Sequence, residues 1–172
     1  MTAPEFSRPL RLDQIGTDAR SQTIVADEAE RLALSRRFRL RGIALLEADY
    51  LLVPADGGWL ATGTLRAEAV QACAATGRDV PERIDTPFAI RFVEDDASSE
   101  EEIELSEQDC DVMAVEDGRI DMGEAVAQTL VLNLEPYPRS PDADAYLKEM
   151  GVKQEDEAGA LSGLKDLLAK GR

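Results

Sequence analysis

The fold is decided by residues 44–73, whose sequence is ALLEADYLLVPADGGWLATGTLRAEAVQAC. The segment ALLEADYLLVP is typical of a strand, and residues 55–58 (ADGG) tolerate positive φ angles, so a β-hairpin is predicted. The return segment is ambiguous, because its Ala and Glu content favours a helix whereas its place after a turn favours a strand. The poor helix formers at residues 62–64 (TGT) favour a strand, although residues 65–73 remain open between strand and helix.

Two elements are predicted on the N-terminal side of this hairpin. Residues 7–15 alternate weakly between apolar and polar and predict a first strand, in which Pro9 favours the edge of a sheet. Asp27 and Glu30 have the spacing of a capping box, which predicts a helix over about Glu28–Phe38. The inward positions of this helix are predicted to be Ala29, Leu32, Ala33 and Phe38.

Further strands and a second helix are predicted on the C-terminal side. Pro81 and Pro87 are expected to bracket a turn, after which PFAIRFV alternates as a strand does. DCDVMAV predicts another short strand, and Asp121 with Glu124 predicts a second capping box ahead of a helix over about Met122–Leu134. The predicted fold class is therefore α+β, with an antiparallel β-sheet of about five or six strands, two main helices and a polar C-terminal tail.

The domain organisation follows from where these elements stop. Residues 1–138 are expected to form the α+β domain, and residues 139–172 a polar tail that can hold a short helix at 161–169. No window approaches the roughly 18 uninterrupted apolar residues of a membrane span, and MTAPEFSRPLRL lacks the regions of a signal peptide. We therefore expect a cytoplasmic protein that does not bind membranes. The sequence gives no indication of an oligomeric state.

Acidic residues are concentrated in one segment of a chain that has a net charge of −16. Residues 94–124 contain one basic and 14 acidic residues, whereas the parts before and after this segment are nearly neutral. A run such as EDDASSEEEIE repels itself and buries little, so its first part is predicted to be a solvated loop. The candidate contacts for a basic partner are Glu100, Glu101, Glu102 and Glu104.

Arginines crowd into residues 31–41, and two interpretations of this cluster stay open. It can be the solvated face of a helix, opposite the acidic segment of the same chain. It can also be a small patch that contacts phosphate, because the arginine fork pairs with phosphate in two places at once. The candidate RNA or phosphate contacts are Arg36, Arg37, Arg39 and Arg41.

Enzymatic chemistry is disfavoured by the absence of histidine. The commonest general base is missing, and neither Cys73 nor Cys110 has a histidine to activate it. Two cysteines provide neither a disulfide framework nor the ligand set of a zinc site, and they fit a reducing compartment. Cys73 is interpreted as a small buried hydrophobic residue, and Asp109 and Asp111 would blunt Cys110 as a nucleophile. We expect a non-enzymatic protein with no cofactor, no metal and no small-molecule substrate.

The order of several phrases resembles a known family. CAATGRDVP (residues 73–81) is followed by PFAIRFV, a long acidic insertion, a short strand and GRIDMGEAVAQTLVLNLEPYPR (residues 118–139). This arrangement resembles the YceD-like family, the large ribosomal RNA subunit accumulation proteins. The family's second phrase corresponds to Ile120, Asp121, Met122, Glu124, Leu132, Leu134 and Pro136. Its first cysteine corresponds to Cys73, and Thr76 stands at the place of its second cysteine.

The resemblance implies a non-enzymatic bacterial protein that is needed for normal levels of 23S rRNA and of the large ribosomal subunit. Because Thr76 replaces a cysteine, a metal or redox role of that pair is doubtful in this chain. Asp121 has a sufficient structural explanation as a helix N-cap, so the motif positions Cys73, Thr76, Asp121 and Glu124 are interpreted as structural.

Three mechanisms remain open. The arginines can bind ribosomal RNA directly, which requires displacing counterions from phosphates. The acidic segment can instead hold a basic ribosomal or assembly protein in a chaperone-like way. A generic interaction scaffold unconnected to ribosomes is the third interpretation.

Overall fold

A computed structural model describes residues 5–15, 19–55, 57–94, 111–115 and 117–152 of the chain. Its strands are β1 (Pro9–Arg11), β2 (Arg20–Val25), β3 (Gly42–Ala55), β4 (Gly58–Ala72), β5 (Asp79–Glu94), β6 (Asp111–Val115) and β7 (Arg119–Asp121). Its helices are α1 (Glu28–Arg37), α2 (Met122–Leu132) and α3 (Ala143–Glu149), with a 3₁₀ turn at Leu12–Gln14. No helix within these described ranges is long and apolar enough to cross a membrane.

The strands form two sheets, and the predicted α+β class is confirmed. The main sheet has five strands in the order β2-β3-β4-β5-β6, and β1 pairs with β7 in a separate two-stranded sheet. The pairs β2–β3, β3–β4 and β1–β7 are antiparallel, whereas β5 and β6 are parallel. The segment predicted as one strand over residues 7–15 is shorter, because the 3₁₀ turn follows β1 directly.

The hairpin of β3 and β4 is confirmed, and residues 65–72 belong to its second strand. The two strands close at Ala55 opposite Gly58. Gly63 lies opposite Tyr50, and a Cβ atom at Gly63 would lie 2.1 Å from the carbonyl oxygen of Asp49. The missing side chain at Gly63 therefore lets the two backbones approach, and tertiary pairing overrides the helical propensity of the segment.

The turn predicted between Pro81 and Pro87 is wrong, because both prolines lie inside β5. The parallel partner β6 pairs with β5 only from Ile90 to Glu94. Before Ile90, β5 has one side with no strand partner among the described residues. Proline is tolerated on such an open side, because no ladder hydrogen bond needs its missing N–H group.

Helix α1 begins as predicted, but it buries a different face. The Asp27 carboxylate accepts a hydrogen bond from the amide of Glu30, whose own carboxylate accepts one from the amide of Asp27, so the capping box is confirmed. Of the predicted inward residues, Ala29 and Leu32 are exposed, Ala33 and Phe38 are half-buried, and the buried positions are Leu34 and Ser35. Ser35 can face inward because its hydroxyl donates to the carbonyl of Arg31 within the helix, at 2.7 Å.

The chain divides into two compact units. The first comprises Met1–Gln71 and Pro81–Pro136, and the second comprises Ala72–Val80 and Tyr137–Arg172. The first unit holds the hydrophobic core, which is mostly aliphatic and includes most of the buried side chains of α2. Its largest fully buried side chains are Phe6, Phe92, Leu34, Leu46, Leu52, Leu65, Ile90, Ile120, Met122, Leu130 and Val126.

The second unit contains α3, so residues 139–152 include a helix that the predicted polar tail did not anticipate. The helix predicted at 161–169 lies outside the described residues, and the domain boundary after residue 138 stays a prediction.

Candidate functional site

The predicted arginine patch lies at the end of α1 and in the turn that leads into β3. Arg36, Arg39 and Arg41 are exposed to solvent. Arg39 has a positive φ of 56°, which places the reversal of the chain directly after the helix. Arg36 and Arg37 belong to the last turn of α1, whereas Arg39 and Arg41 follow the helix, so the four arginines do not form the face of one helix.

Arg37 is engaged within the protein. Its guanidinium donates to both carboxylate oxygens of Glu124 on α2, at 2.6 and 2.8 Å, and to the carboxylate of Glu5 at 3.0 Å. Hydrogen bonding to Glu124 raises the pKa of Arg37, and the same contact lowers the pKa of Glu124. A phosphate would have to displace two carboxylates from this guanidinium. Arg37 is thus a link between two helices.

The second capping box is formed only in half. The Asp121 carboxylate accepts hydrogen bonds from the amides of Gly123 and Glu124, so Asp121 is the N-cap of α2 as predicted. The carboxylate of Glu124, however, accepts from Arg37 and from the side chain of Gln128. A bidentate arginine contact is stronger than a neutral amide bond, which explains why Glu124 faces Arg37.

Asp121 also holds the N-terminal segment of the chain. Its Oδ1 accepts from the amide of Arg8 at 2.7 Å, and its Oδ2 accepts from the hydroxyl of Ser7 at 2.5 Å. A Cβ atom at Gly123 would lie 2.5 Å from the carbonyl oxygen of Phe6, so the segment passes against the first turn of α2 at a point where only glycine fits. Residues 121–124 (DMGE) therefore make four kinds of contact: the N-cap of α2, the hydrogen bonds to Ser7 and Arg8, the close backbone approach at Gly123 and the ion pair of Glu124.

Cys73 lies in a polar turn of the second unit. Its thiol is buried, as predicted, but the sulfur accepts hydrogen bonds from the amide of Ser140 at 3.2 Å, the hydroxyl of Ser140 at 3.3 Å and the amide of Thr76 at 3.4 Å. The Thr76 and Ser140 hydroxyls are 3.1 Å apart. Burial raises the pKa of Cys73, but the hydrogen bonds from Ser140 and Thr76 outweigh burial and lower the pKa to about 6. Cys73 is therefore buried, but its sulfur is in contact with polar groups and is not packed only as a small hydrophobic residue.

Ser140 is the member of this cluster that the sequence did not indicate. It lies 67 residues after Cys73, and no local spacing rule connects positions that far apart. Arg78 and Asp142 add an ion pair to the same unit. Within the described ranges, no group of three or more His, Cys, Asp or Glu side chains is arranged to hold a metal ion.

The acidic candidates Glu100, Glu101, Glu102 and Glu104 lie outside the described residues, but both ends of their segment are placed. Glu94 ends β5 opposite Val115, and Asp111 begins β6 opposite Ile90. The two anchor points thus lie on neighbouring parallel strands and are offset along them by four residues, about 13 Å at 3.3 Å per residue. Sixteen residues, eight of them acidic, separate Glu94 from Asp111 in the sequence.

Comparison with known proteins identifies one family. A family model described as "Large ribosomal RNA subunit accumulation protein YceD" matches residues 61–168. The matched range includes the motif positions and the acidic segment, and it excludes Arg36, Arg37, Arg39 and Arg41. No curated protein and no solved structure matches the chain. The match covers more than half of the chain and confirms the resemblance seen in the sequence: the chain belongs to the YceD family.

Proposed function

We propose that this protein promotes accumulation of 23S rRNA, and hence of the large ribosomal subunit, by holding a basic ribosomal or assembly protein on its acidic segment. The YceD family name gives the process, a role in large-subunit rRNA accumulation. The mechanism proposed for this chain is non-catalytic and uses no cofactor.

The observation that supports the proposal is the concentration of acidic charge in one segment of the sequence. One basic and 14 acidic residues occupy positions 94–124, and the described residues that flank positions 95–110 are Glu94 at the end of β5 and Asp111 at the start of β6. Charges concentrated in this way produce a strong local field that attracts a basic partner and raises its association rate. Ribosomal proteins must stay soluble before they meet rRNA, and an acidic surface offers them a temporary substitute for phosphate.

Direct binding of rRNA is the second candidate, and the exposure of Arg36, Arg39 and Arg41 favours it. Three arginines can neutralise only a few phosphates, whereas specific nucleic-acid complexes make many such contacts. The net charge of −16 repels RNA at a distance, and Arg37 is paired with Glu124 and Glu5. Charge therefore favours a basic protein over RNA as the first partner.

A binding experiment with two variants of opposite charge separates the candidates. The first variant changes Glu100, Glu101, Glu102 and Glu104 to Gln, and the second changes Arg36, Arg39 and Arg41 to Glu. Arg37 is left in place because its loss would disturb the fold. Each immobilised protein is incubated separately with protein extracted from purified large subunits and with 23S rRNA, over a series of salt concentrations.

The proposal expects the wild type and the arginine variant to retain basic ribosomal proteins, with binding that weakens as salt rises. It expects the glutamine variant to lose them. Retention of rRNA by the wild type, abolished in the arginine variant and kept in the glutamine variant, would favour direct RNA binding instead. If all three proteins retain ribosomal proteins and rRNA to the same extent, neither charged region is the binding site, and the generic scaffold is the favoured interpretation.

A further inference from the structure

Helix α3 carries an exposed apolar face. Tyr146 and Met150 are four positions apart and therefore lie on the same side of the helix, where they are 38% and 64% exposed. Val152, directly after the helix, is 54% exposed. Single exposed apolar residues are normal on protein surfaces, whereas three within seven positions at a short helix indicate a surface that another segment covers.

The second unit has little hydrophobic core among its described residues. Its buried residues there are Cys73, Pro138, Ser140 and Ala143, and none of them is a large aliphatic or aromatic residue. A helix as short as α3 is not stable in water through its own backbone hydrogen bonds, and it depends on packing against other residues. We therefore expect further apolar contacts from the rest of the unit, which is residues 153–172.

The chain turns away from the axis of α3 at Gly151. The amide of Val152 donates to the carbonyl oxygen of Leu147 at 3.0 Å, and the amide of Gly151 donates to the carbonyl oxygen of Lys148 at 3.1 Å. Gly151 has a positive φ of 78°. Together these features are a Schellman motif, which ends a helix and redirects the chain. Helix α3 therefore stops at this turn, and the next segment starts beside its exposed face.

The sequence that follows Val152 contains a matching apolar stripe. Leu161, Leu164 and Leu168 have the spacing i, i+3 and i+7, which places them on one side of the helix predicted at 161–169. Residues 153–172 contain four basic and four acidic residues, so this segment is neutral in a chain with a net charge of −16. The family model matches as far as residue 168, and the stripe therefore lies within the region that the family model describes.

We propose that residues 153–172 of the same chain fold back on α3 and pack their leucine stripe against Tyr146 and Met150. Residues 151–160 form the connection, and ten residues are enough to span the about 8–10 Å between the axes of packed helices. This short tether holds the segment near the face at a high effective concentration, which favours it over a second copy or a separate protein. Docking supplies the apolar contacts that the second unit lacks, and it makes residues 153–172 part of that unit in place of a loose tail.

Hydrogen exchange of the full chain, followed by mass spectrometry, tests the docking with two pairs of variants. Met150→Asp places a charge on the proposed face of α3, and its matched control Ala145→Asp adds the same charge at an exposed position away from that face. Leu164→Asp interrupts the leucine stripe, and its matched control Ser162→Asp adds the same charge on the polar side of the segment. Circular dichroism checks that all four variants are folded.

Docking predicts that the amides of residues 161–168 are protected from exchange in the wild type. Met150→Asp should speed their exchange about tenfold or more, whereas Ala145→Asp should change it by less than about twofold. The effect should also be reciprocal, because Leu164→Asp should speed exchange at residues 146–150 and Ser162→Asp should not. A helix that forms at 161–169 without docking would transmit neither effect to the other segment.

Four results would overturn the inference. Exchange of residues 161–168 at the rate of an unstructured peptide would show that the segment is a loose tail. Protection that Met150→Asp leaves unchanged would place the segment elsewhere on the protein. Protection that depends on protein concentration would identify a second copy as its source, and protection that appears only with added ribosomal proteins would identify an external partner. Capture by the acidic segment is independent of all four results, because its test changes other residues.

Discussion

Replacing Asp121 by Ala should destabilise the first unit because this carboxylate accepts four hydrogen bonds. Oδ1 accepts from the amides of Arg8, Gly123 and Glu124 at 2.7, 3.0 and 3.3 Å, and Oδ2 accepts from the hydroxyl of Ser7 at 2.5 Å. Loss of an N-cap costs about 1 kcal/mol, and leaving the part-buried amide of Arg8 without a partner costs about 1–2 kcal/mol more. The expected loss is about 2–3 kcal/mol, which lowers Tm by roughly 5–10 °C in a protein of this size.

The substitution Asp121→Asn is the matched control. An asparagine keeps the Oδ1 atom that serves all three amides, and its nitrogen can donate to the hydroxyl of Ser7. We expect Asp121→Asn to lose less than about 1 kcal/mol, because asparagine is as good an N-cap as aspartate. Urea unfolding followed by circular dichroism at neutral pH measures both variants.

Three outcomes would refute this account of Asp121. Stability of Asp121→Ala within about 0.5 kcal/mol of the wild type would show that the hydrogen bonds contribute nothing net. Equal destabilisation by Ala and by Asn would assign the effect to charge. A stable Asp121→Asn protein that fails to support large-subunit accumulation would make this motif residue a contact for a partner, against its structural interpretation.

Two further predictions concern the Arg37–Glu124 ion pair and the Cys73 thiol. The hydrogen bonds from Arg37 lower the pKa of Glu124 in the folded protein. The ion pair therefore stabilises the folded state at pH values above the unfolded pKa of Glu124, about 4.3, and this stabilisation is lost as the pH falls through the folded pKa. Glu124→Gln should therefore lower the free energy of unfolding by about 1 kcal/mol at neutral pH, and this difference from the wild type should disappear in acid. Urea unfolding of both proteins at a series of pH values measures the difference. A difference that stays constant across the series would refute the prediction. In a Cys110→Ser background, the ultraviolet absorbance of the Cys73 thiolate should titrate near pH 6, since the pKa of Cys73 is lowered to about 6. Adding Ser140→Ala should move the midpoint of this titration upward. The midpoint of an ordinary thiol in both proteins would contradict the hydrogen bonds to the sulfur.

Local signals in the sequence were sufficient for much of the fold. The turn at residues 55–58 fixes the hairpin, and the spacing of Asp27 with Glu30 fixes the start of α1, because both depend on residues that are close in the chain. The face that α1 buries was not predictable in this way. The helix has few apolar residues, so its orientation depends on contacts outside the helix, such as that of Arg31 with the carbonyl of Ala26.

The remaining differences come from tertiary structure. Pro81 and Pro87 suggested a turn because a sequence does not show which side of a strand will lack a partner. The pairing of Arg37 with Glu124 joins residues that are 87 positions apart, and it changes both the arginine patch and the second capping box. Residues that are distant in the chain therefore decide which charges remain available to a partner.

The three open interpretations of the sequence now differ in their support. The family assignment connects the chain with large-subunit rRNA accumulation. The arginine patch lies outside the matched range, and its member Arg37 forms an ion pair with Glu124 within the protein. The acidic segment lies within the matched range. Our proposal therefore assigns the first contact to a basic protein, with RNA affected through that protein.

The central claim is tested most directly by complementation of a deletion strain. The strain receives the wild type, the variant with Gln at residues 100–102 and 104, or the variant with Glu at positions 36, 39 and 41, and the ratio of large to small subunits is measured on sucrose gradients. Our account predicts that the wild type and the arginine variant restore the large subunit and that the glutamine variant does not. Restoration by the glutamine variant together with failure of the arginine variant would contradict it.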